Sequence, residues 1–192
     1  MTTPPDFSVG QVLTASQMNA VGLWLITPTV TSVGGTAATV SGGVVSIGSG
    51  NTSVTITAFS ADFDNYLMTL HGVLAASANP GLYVQFGAAT TSYYSVTPYY
   101  AYDASGDGAV KRNNGSELVA GFVGANHFAS NTYIFAPHDT QRTAVTGNYA
   151  GDLYNGTFSG MLANNTSYTN VKLSLPSNSF VAGKVRIYGI RD

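Results

Sequence analysis

"NVKLSLPSNSFVAGKVRIYGI", residues 170–190, decides the fold class. Val171, Leu173 and Leu175 alternate with Lys172 and Ser174, and Val185 and Ile187 alternate with Lys184, Arg186 and Tyr188. A period of two puts one set of side chains on each face of a strand, so each run predicts a strand with one buried and one wet face. The connection between the runs, "LPSNSF" (175–180), carries the Pro, Asn and Ser of a turn.

The same signals recur upstream. "YLMTLHGV" (66–73), "LYVQFG" (82–87), "TYIFAP" (132–137), "RTAVTGNYAG" (142–151) and "YNGTFSGML" (154–162) are β-prone runs bounded by Gly, Pro or Asn. No strand–helix alternation is present, which argues against a parallel α/β fold. The spacing predicts a mainly β protein, an antiparallel β-sandwich of jelly-roll-like type over residues 58–192, preceded by a short N-terminal helix and an extended arm.

Composition agrees. Hydrophobic residues make up 44% of the 192 positions, enough for a packed core and against wholesale disorder. Charged residues make up only 8%, against an ordinary share of about 25%, so the chain lacks the Glu and Lys that fill exposed helix faces. The formal net charge of −2 gives no electrostatic footprint for nucleic acid. The chain has no Cys, so neither disulfides nor thiolate chemistry contribute. "MTTPPDFSVG" has no basic and apolar leader pattern, so no signal peptide is read. No apolar run reaches the roughly 18 residues of a membrane helix, so no membrane insertion is expected.

Three zones follow. In residues 1–27, Thr14 and Gln17 form a capping box, and Leu13 and Met18 occupy the positions of a hydrophobic staple. Gly22 and Pro28 end this helix after roughly two turns, too short to be stable alone. A helix of that kind makes sense if it docks, so Leu13, Met18, Val21, Trp24 and Leu25 are the expected anchor residues, with packing as a lid on the chain's own β-domain as the alternative. Residues 28–57 carry no charge and alternate Val/Ile/Thr runs with Gly-rich breaks. They read either as a flexible linker or as short linking strands laid on something else. Residues 58–192 form the β-domain.

Chemistry is sparse. His71, His127 and His138 have no metal-ligand spacing, and no nucleophile elbow is present. Asp62 and Asp64 flank Phe63, but they sit where Asp favours a turn rather than a glycosidase pair. Asp103, Ser105, Asp107 and Gly108 fit positions 1, 3, 5 and 6 of a calcium loop, but Asn114 stands where the bidentate Glu belongs, so a polar hairpin loop is the better reading. No catalytic residue, metal or cofactor is expected, and the chain is read as non-enzymatic. The sharpest feature is "TTSYYSVTPYYAYD" (90–103), with Tyr93, Tyr94, Tyr99, Tyr100 and Tyr102. Tyrosine has a flat apolar face and a polar tip suited to sugars and wet interfaces, but adjacent tyrosines on a strand point to opposite faces, so about half are expected in the core. Next to it, "AVKRNNGSE" (109–117) gathers Lys111, Arg112 and Glu117 in what reads as an exposed loop. Tyr99, Tyr100, Tyr102, Lys111 and Arg112 are the expected members of a glycan or protein contact surface.

The N-terminal "VGQVLTASQMNAVG" resembles the opening of many phage tail-fibre and minor tail proteins, in which a G-x-x-L-T-A-x-x-(L/M)-N segment starts the chain. "FDNYLMTLHGV" and "AGKVRIYGI" resemble core strands of the C-terminal β-domains of the same proteins. The resemblance implies a virion structural protein, a homotrimer that joins other virion proteins by its N-terminus and presents a β-rich tip to host surface glycans. A capsid decoration protein or head fibre shares that architecture. A carbohydrate-binding module or carbohydrate-active enzyme is the alternative from another class.

Overall fold

The computed structural model describes residues 22–77, 79–103 and 106–190. These residues form strands and connections with no helix. The expected N-terminal helix, with Leu13, Met18 and Val21, lies outside the described residues.

The strands form two antiparallel sheets. The larger has ten strands. From one edge it runs β3 (Thr39–Ser41), β4 (Val44–Ile47), β15 (Phe180–Ile190), β6 (Asn65–Ala75), β11 (Phe128–Phe135), β12 (Thr143–Gly151), β13 (Tyr154–Leu162), β8 (Tyr93–Ala101) and β9 (Gly108–Gly115). A tenth strand, β1 (Leu23–Leu25), pairs with the C-terminal half of β15, and Ile26 extends that pairing by donating to the Ile187 carbonyl at 2.9 Å. The smaller sheet has five strands: β10 (Leu118–Phe122), β7 (Gly81–Phe86), β14 (Asn170–Ser174), β5 (Ser53–Thr57) and β2 (Thr29–Val33).

The alternation read in residues 170–190 sets this arrangement. Val171 and Leu173 on β14 and Val185 and Ile187 on β15 are all fully buried, and they belong to one core that takes side chains from both sheets. Tyr66, Tyr93, Phe86, Phe128 and Phe180 are the large fully buried rings there, each worth roughly 1.5–3 kcal/mol of burial. Polar groups also tie the sheets together. The Phe86 amide of β7 donates to the Tyr93 hydroxyl of β8 at 2.7 Å, and buried Thr97 of β8 donates to the Val119 carbonyl of β10.

Residues 28–57 do not stand apart as an arm. β2 and β5 pair within the smaller sheet and β3 and β4 within the larger, with Val45, Ile47, Val54 and Ile56 buried in the shared core. The uncharged Val/Ile/Thr runs supply one inward residue at every second position, which suffices when the other sheet covers them. The Gly-rich breaks are where two backbone arms press together. A Cβ on Gly35 would lie 2.1 Å from the Ser49 carbonyl oxygen, and one on Gly48 would lie 2.0 Å from that of Thr36. Asn51, fully buried, staples the arms: its Nδ2 donates to the Thr36 and Gly48 carbonyls at 2.7 and 2.8 Å. Its backbone bridges to Phe180 at the start of β15.

Candidate functional site

The outer face of the larger sheet is divided into two halves, and register divides it. Towards one end, Thr69 of β6, Asn131 of β11, Asn148 of β12 and Thr157 of β13 stand abreast, because Asn131 pairs with both Thr69 and Asn148 and Asn148 pairs with Thr157. The next outward row is His71, Ala129, Ala150, Asn155 and Tyr100 of β8. Together these residues line a shallow depression of about 730 Å³.

Its shape follows from residue size. Ala129 and Ala150 keep the floor low, while His71 at one side and Tyr100, 54% exposed, at the other stand up from it. Asn131, Asn148 and Thr157 are exposed, so their amides and hydroxyl meet solvent. The Asn155 amide is anchored by donating to the Tyr100 carbonyl at 3.4 Å. Below the floor lies Tyr149, buried, stacked on Phe128 at 6.2 Å and donating to the Pro98 carbonyl at 3.3 Å. Burial raises the Tyr149 pKa well above the ordinary tyrosine value, so the phenol stays a neutral donor and a rigid support.

The lining thus offers amide, hydroxyl and imidazole groups beside one aromatic face, and it contains no Asp or Glu. Those groups can hydrogen-bond and stack. They hold no paired carboxylates of the kind used for glycoside hydrolysis. Among the described residues, no group of three or more His, Asp or Glu side chains could hold a metal ion.

The expected receptor residues separate. Tyr100 and Tyr102 are exposed, and Tyr100 belongs to the depression. Tyr99 is a correction: it points inward and packs edge-on against Phe122 at 5.2 Å and Tyr154 at 5.1 Å. Period two makes the reversal unavoidable for neighbours on one strand. The "KRNNG" stretch is also corrected. It is not a loop but part of β9, an edge strand paired with β8. Lys111 is exposed beside Val96. Arg112 points the other way and lies over the Tyr83 ring of the smaller sheet, 5.4 Å from its centroid. Among the anchor residues, Trp24 packs on the core and Leu25 is exposed on the outer face.

The remaining candidates fall into local roles. Ser60 and Asp62 share a side-chain hydrogen bond of 3.0 Å, and the Asp64 carbonyl accepts from Ala136 at 3.0 Å, so this segment is a turn. Asp107 accepts from the Ala101 amide at 3.2 Å across the β8–β9 connection. The His138 carbonyl accepts from the Ser167 hydroxyl, and His127 is exposed. Sequence reasoning missed Asn131, Asn148, Asn155 and Thr157, because they are spread over β11, β12 and β13 and only pairing register unites them. No helix among the described residues is long and apolar enough to cross a membrane. No protein-family model matches the chain, and no curated protein is significantly similar to it.

Proposed function

We propose that this chain is a phage virion structural protein, a tail-fibre or minor tail component, that contacts host surface glycans through the depression on its larger sheet. It is non-enzymatic, assembles as a homotrimer and joins other virion proteins through its N-terminal segment. Two antiparallel sheets around one core support a β-sandwich, and the repeated crossing of the chain between the sheets, as from β9 to β10 to β11, supports jelly-roll-like connectivity. The virion assignment is supported by the resemblance of "VGQVLTASQMNAVG" to the opening of phage tail-fibre proteins.

One observation carries the glycan reading: the register that sets Thr69, Asn131, Asn148 and Thr157 abreast, above a floor of small residues and beside the Tyr100 ring. Sugars present rings of hydroxyls with apolar faces, which amides and hydroxyls can bond and an aromatic face can stack. A nearly uncharged chain has little long-range steering, so short-range contacts carry recognition, and several copies raise weak single-site affinity through avidity. Adsorption of particles to host cells tests this. Carrying Asn148→Ala together with Tyr100→Ala should lower the adsorption rate at least tenfold while particle yield and chain stability stay unchanged. Unchanged adsorption with intact folding would favour the capsid decoration or head-fibre role instead.

A further inference from the structure

His71 is a ridge rather than the end of the depression. On its other side lies a second depression of about 330 Å³, whose lining includes His71 again, with Ser46, Gly72, Ala182, Gly183 and Lys184. Register carries the outward row through it. The row of Tyr100, Asn155, Ala150, Ala129 and His71 continues to Lys184 of β15, which pairs with His71, and then to Ser46 of β4, which pairs with Lys184. The neighbouring row continues likewise from Thr69 to Arg186. From β8 to β15 is five strand spacings, about 24 Å, so the two depressions make one furrow across the sheet. A β-bulge shapes its second part. From Lys184 back to Ala182 the partner strand β6 advances from His71 to Leu74, one residue more than β15 does. Gly72, at φ +59°, takes up the extra residue in the left-handed region. Bulges bend the strand and re-aim its side chains, and this one leaves a floor of Gly72, Ala182 and Gly183 beside Lys184.

Charge is placed unevenly around this furrow. The strands of the larger sheet contain Lys111, Arg112, Lys184 and Arg186 and no Asp or Glu, although the chain as a whole has a net charge of −2. Arg112 points to the smaller sheet, and Lys111 stands at the far edge, beyond Val96. Towards its other end the outer face is apolar, with Leu25, Tyr133 and Phe135 exposed. Lys184, exposed, and Arg186, half-buried, therefore form the cationic pair of the furrow. Among the described residues no carboxylate pairs with either. The connections beside them, residues 48–52, 76–80 and 175–179, contain no Asp or Glu. Asp152, in the β12–β13 connection, is three strand spacings from β15, about 14 Å, and already accepts from the Asn126 amide at 2.7 Å. That separation exceeds the roughly 8 Å over which exposed charges act at physiological salt.

We infer that the furrow takes an acidic glycan, whose carboxylate or phosphate group sits on Lys184 in the second depression, with Arg186 beside it, while an uncharged ring of the same glycan stacks on Tyr100. The inference deepens the glycan reading of the depression and rests on it. The amides and hydroxyls between β6 and β13 bond any sugar and do not select charge. Lys184 does. An ammonium carries three donors and a full charge, so its hydrogen bonds to an oxyanion are shorter and stronger than neutral ones. It acts as a point charge and suits a carboxylate or a phosphate alike. The Ser46 hydroxyl lines the same depression and offers a further donor. A carboxylate in the lining would repel such a ligand, and neither depression has one. A neutral glycan would leave the one cationic pair of the furrow facing water.

Calorimetric titration of the full-length chain with fragments of host surface polysaccharide, separated by anion exchange into neutral and acidic fractions, tests this. The acidic fraction should bind about tenfold more tightly than the neutral one. Carbodiimide-mediated reduction of its carboxylates, or removal of its phosphates with hydrofluoric acid, should bring it down to the neutral level, and the treatment that does so identifies the anion. Lys184→Gln should lower affinity for the acidic fraction about threefold, and Lys184→Gln with Arg186→Gln about tenfold, with affinity for the neutral fraction unchanged. Lys172→Gln, outward on the smaller sheet, should alter neither. Thermal melts verify that each variant is folded, and the chemical treatments test the wild type without any substitution. Neutral fragments that bind as tightly as acidic ones overturn the inference and leave the glycan reading standing. So does acidic affinity that survives both treatments, that persists in the folded double variant, or that falls equally with Lys172→Gln. Binding by neither fraction removes the glycan reading itself, and this inference with it.

Discussion

Replacing Asn51 with alanine should destabilise the chain more than its place in a Gly-rich connection suggests. The Asn51 side chain is fully buried and makes two hydrogen bonds, to the carbonyls of Thr36 and Gly48. Each such bond contributes about 1 kcal/mol net, and each carbonyl left desolvated without a partner costs about 1–3 kcal/mol. Against this, the Asn51 Oδ1 is buried and has no partner, so truncation also removes one unsatisfied acceptor. The balance is a loss of about 2–3 kcal/mol. For a chain of this length, each kcal/mol shifts Tm by about 2–4 °C, so the melting point should fall by roughly 4–12 °C. Asn51→Asp should be worse, because it aims a carboxylate at the same two carbonyls. Urea unfolding followed by the fluorescence of Trp24, the chain's single tryptophan, measures the change. The midpoint should fall with the m-value unchanged. A loss under about 1 kcal/mol for Asn51→Ala would refute the view that this side chain holds residues 34–50 against β15.

Tyr99→Ala should cost about 2–3 kcal/mol by removing a ring packed between Phe122 and Tyr154. Tyr100→Ala, by contrast, should stay within about 0.5 kcal/mol in the same unfolding assay. Gly48→Ala should cost about 1–3 kcal/mol, since its Cβ would collide with the Thr36 carbonyl and the backbone must shift; thermal melts check this. Burial raises the pKa values of Tyr66, Tyr93 and Tyr149 above the ordinary value of 10.0, so above that pH the unfolded chain holds fewer protons than the folded one. Stability should be full below about pH 10 and then fall by up to ~1.4 kcal/mol per pH unit for each tyrosine. Urea midpoints that stay level from pH 9 to 11 would contradict this.

The β-strands were legible wherever inward and outward residues differ in polarity. The runs in β6, β7, β14 and β15 show this clearly, because their inward residues are large and their neighbours include polar residues such as Thr69, Gln85, Lys172 and Arg186. β9 was not legible. Its inward Arg112 is itself polar and is accommodated by stacking on Tyr83, so "KRNNG" reads as loop although it pairs as strand. The strands of residues 29–57 could be seen but not placed, because short uncharged runs do not say which sheet covers them. Tyr100 was found from local aromatic density. The remainder of the depression depends on Asn131, Asn148 and Asn155 becoming neighbours through strand register, which local sequence does not encode. The apolar half of the larger sheet's outer face was hidden for the same reason: Leu25, Tyr133 and Val96 come from distant parts of the chain and share one row only in the sheet.

The glycan-binding depression is tested most directly by amide NMR of the labelled chain titrated with fragments of host surface polysaccharide. Binding there predicts saturable shifts that cluster on residues 69–71, 129–131, 148–150, 155–157 and Tyr100, with the outward positions Thr31, Thr55 and Lys172 of the smaller sheet unmoved. Shifts centred on the smaller sheet, or none at millimolar fragment, would contradict it.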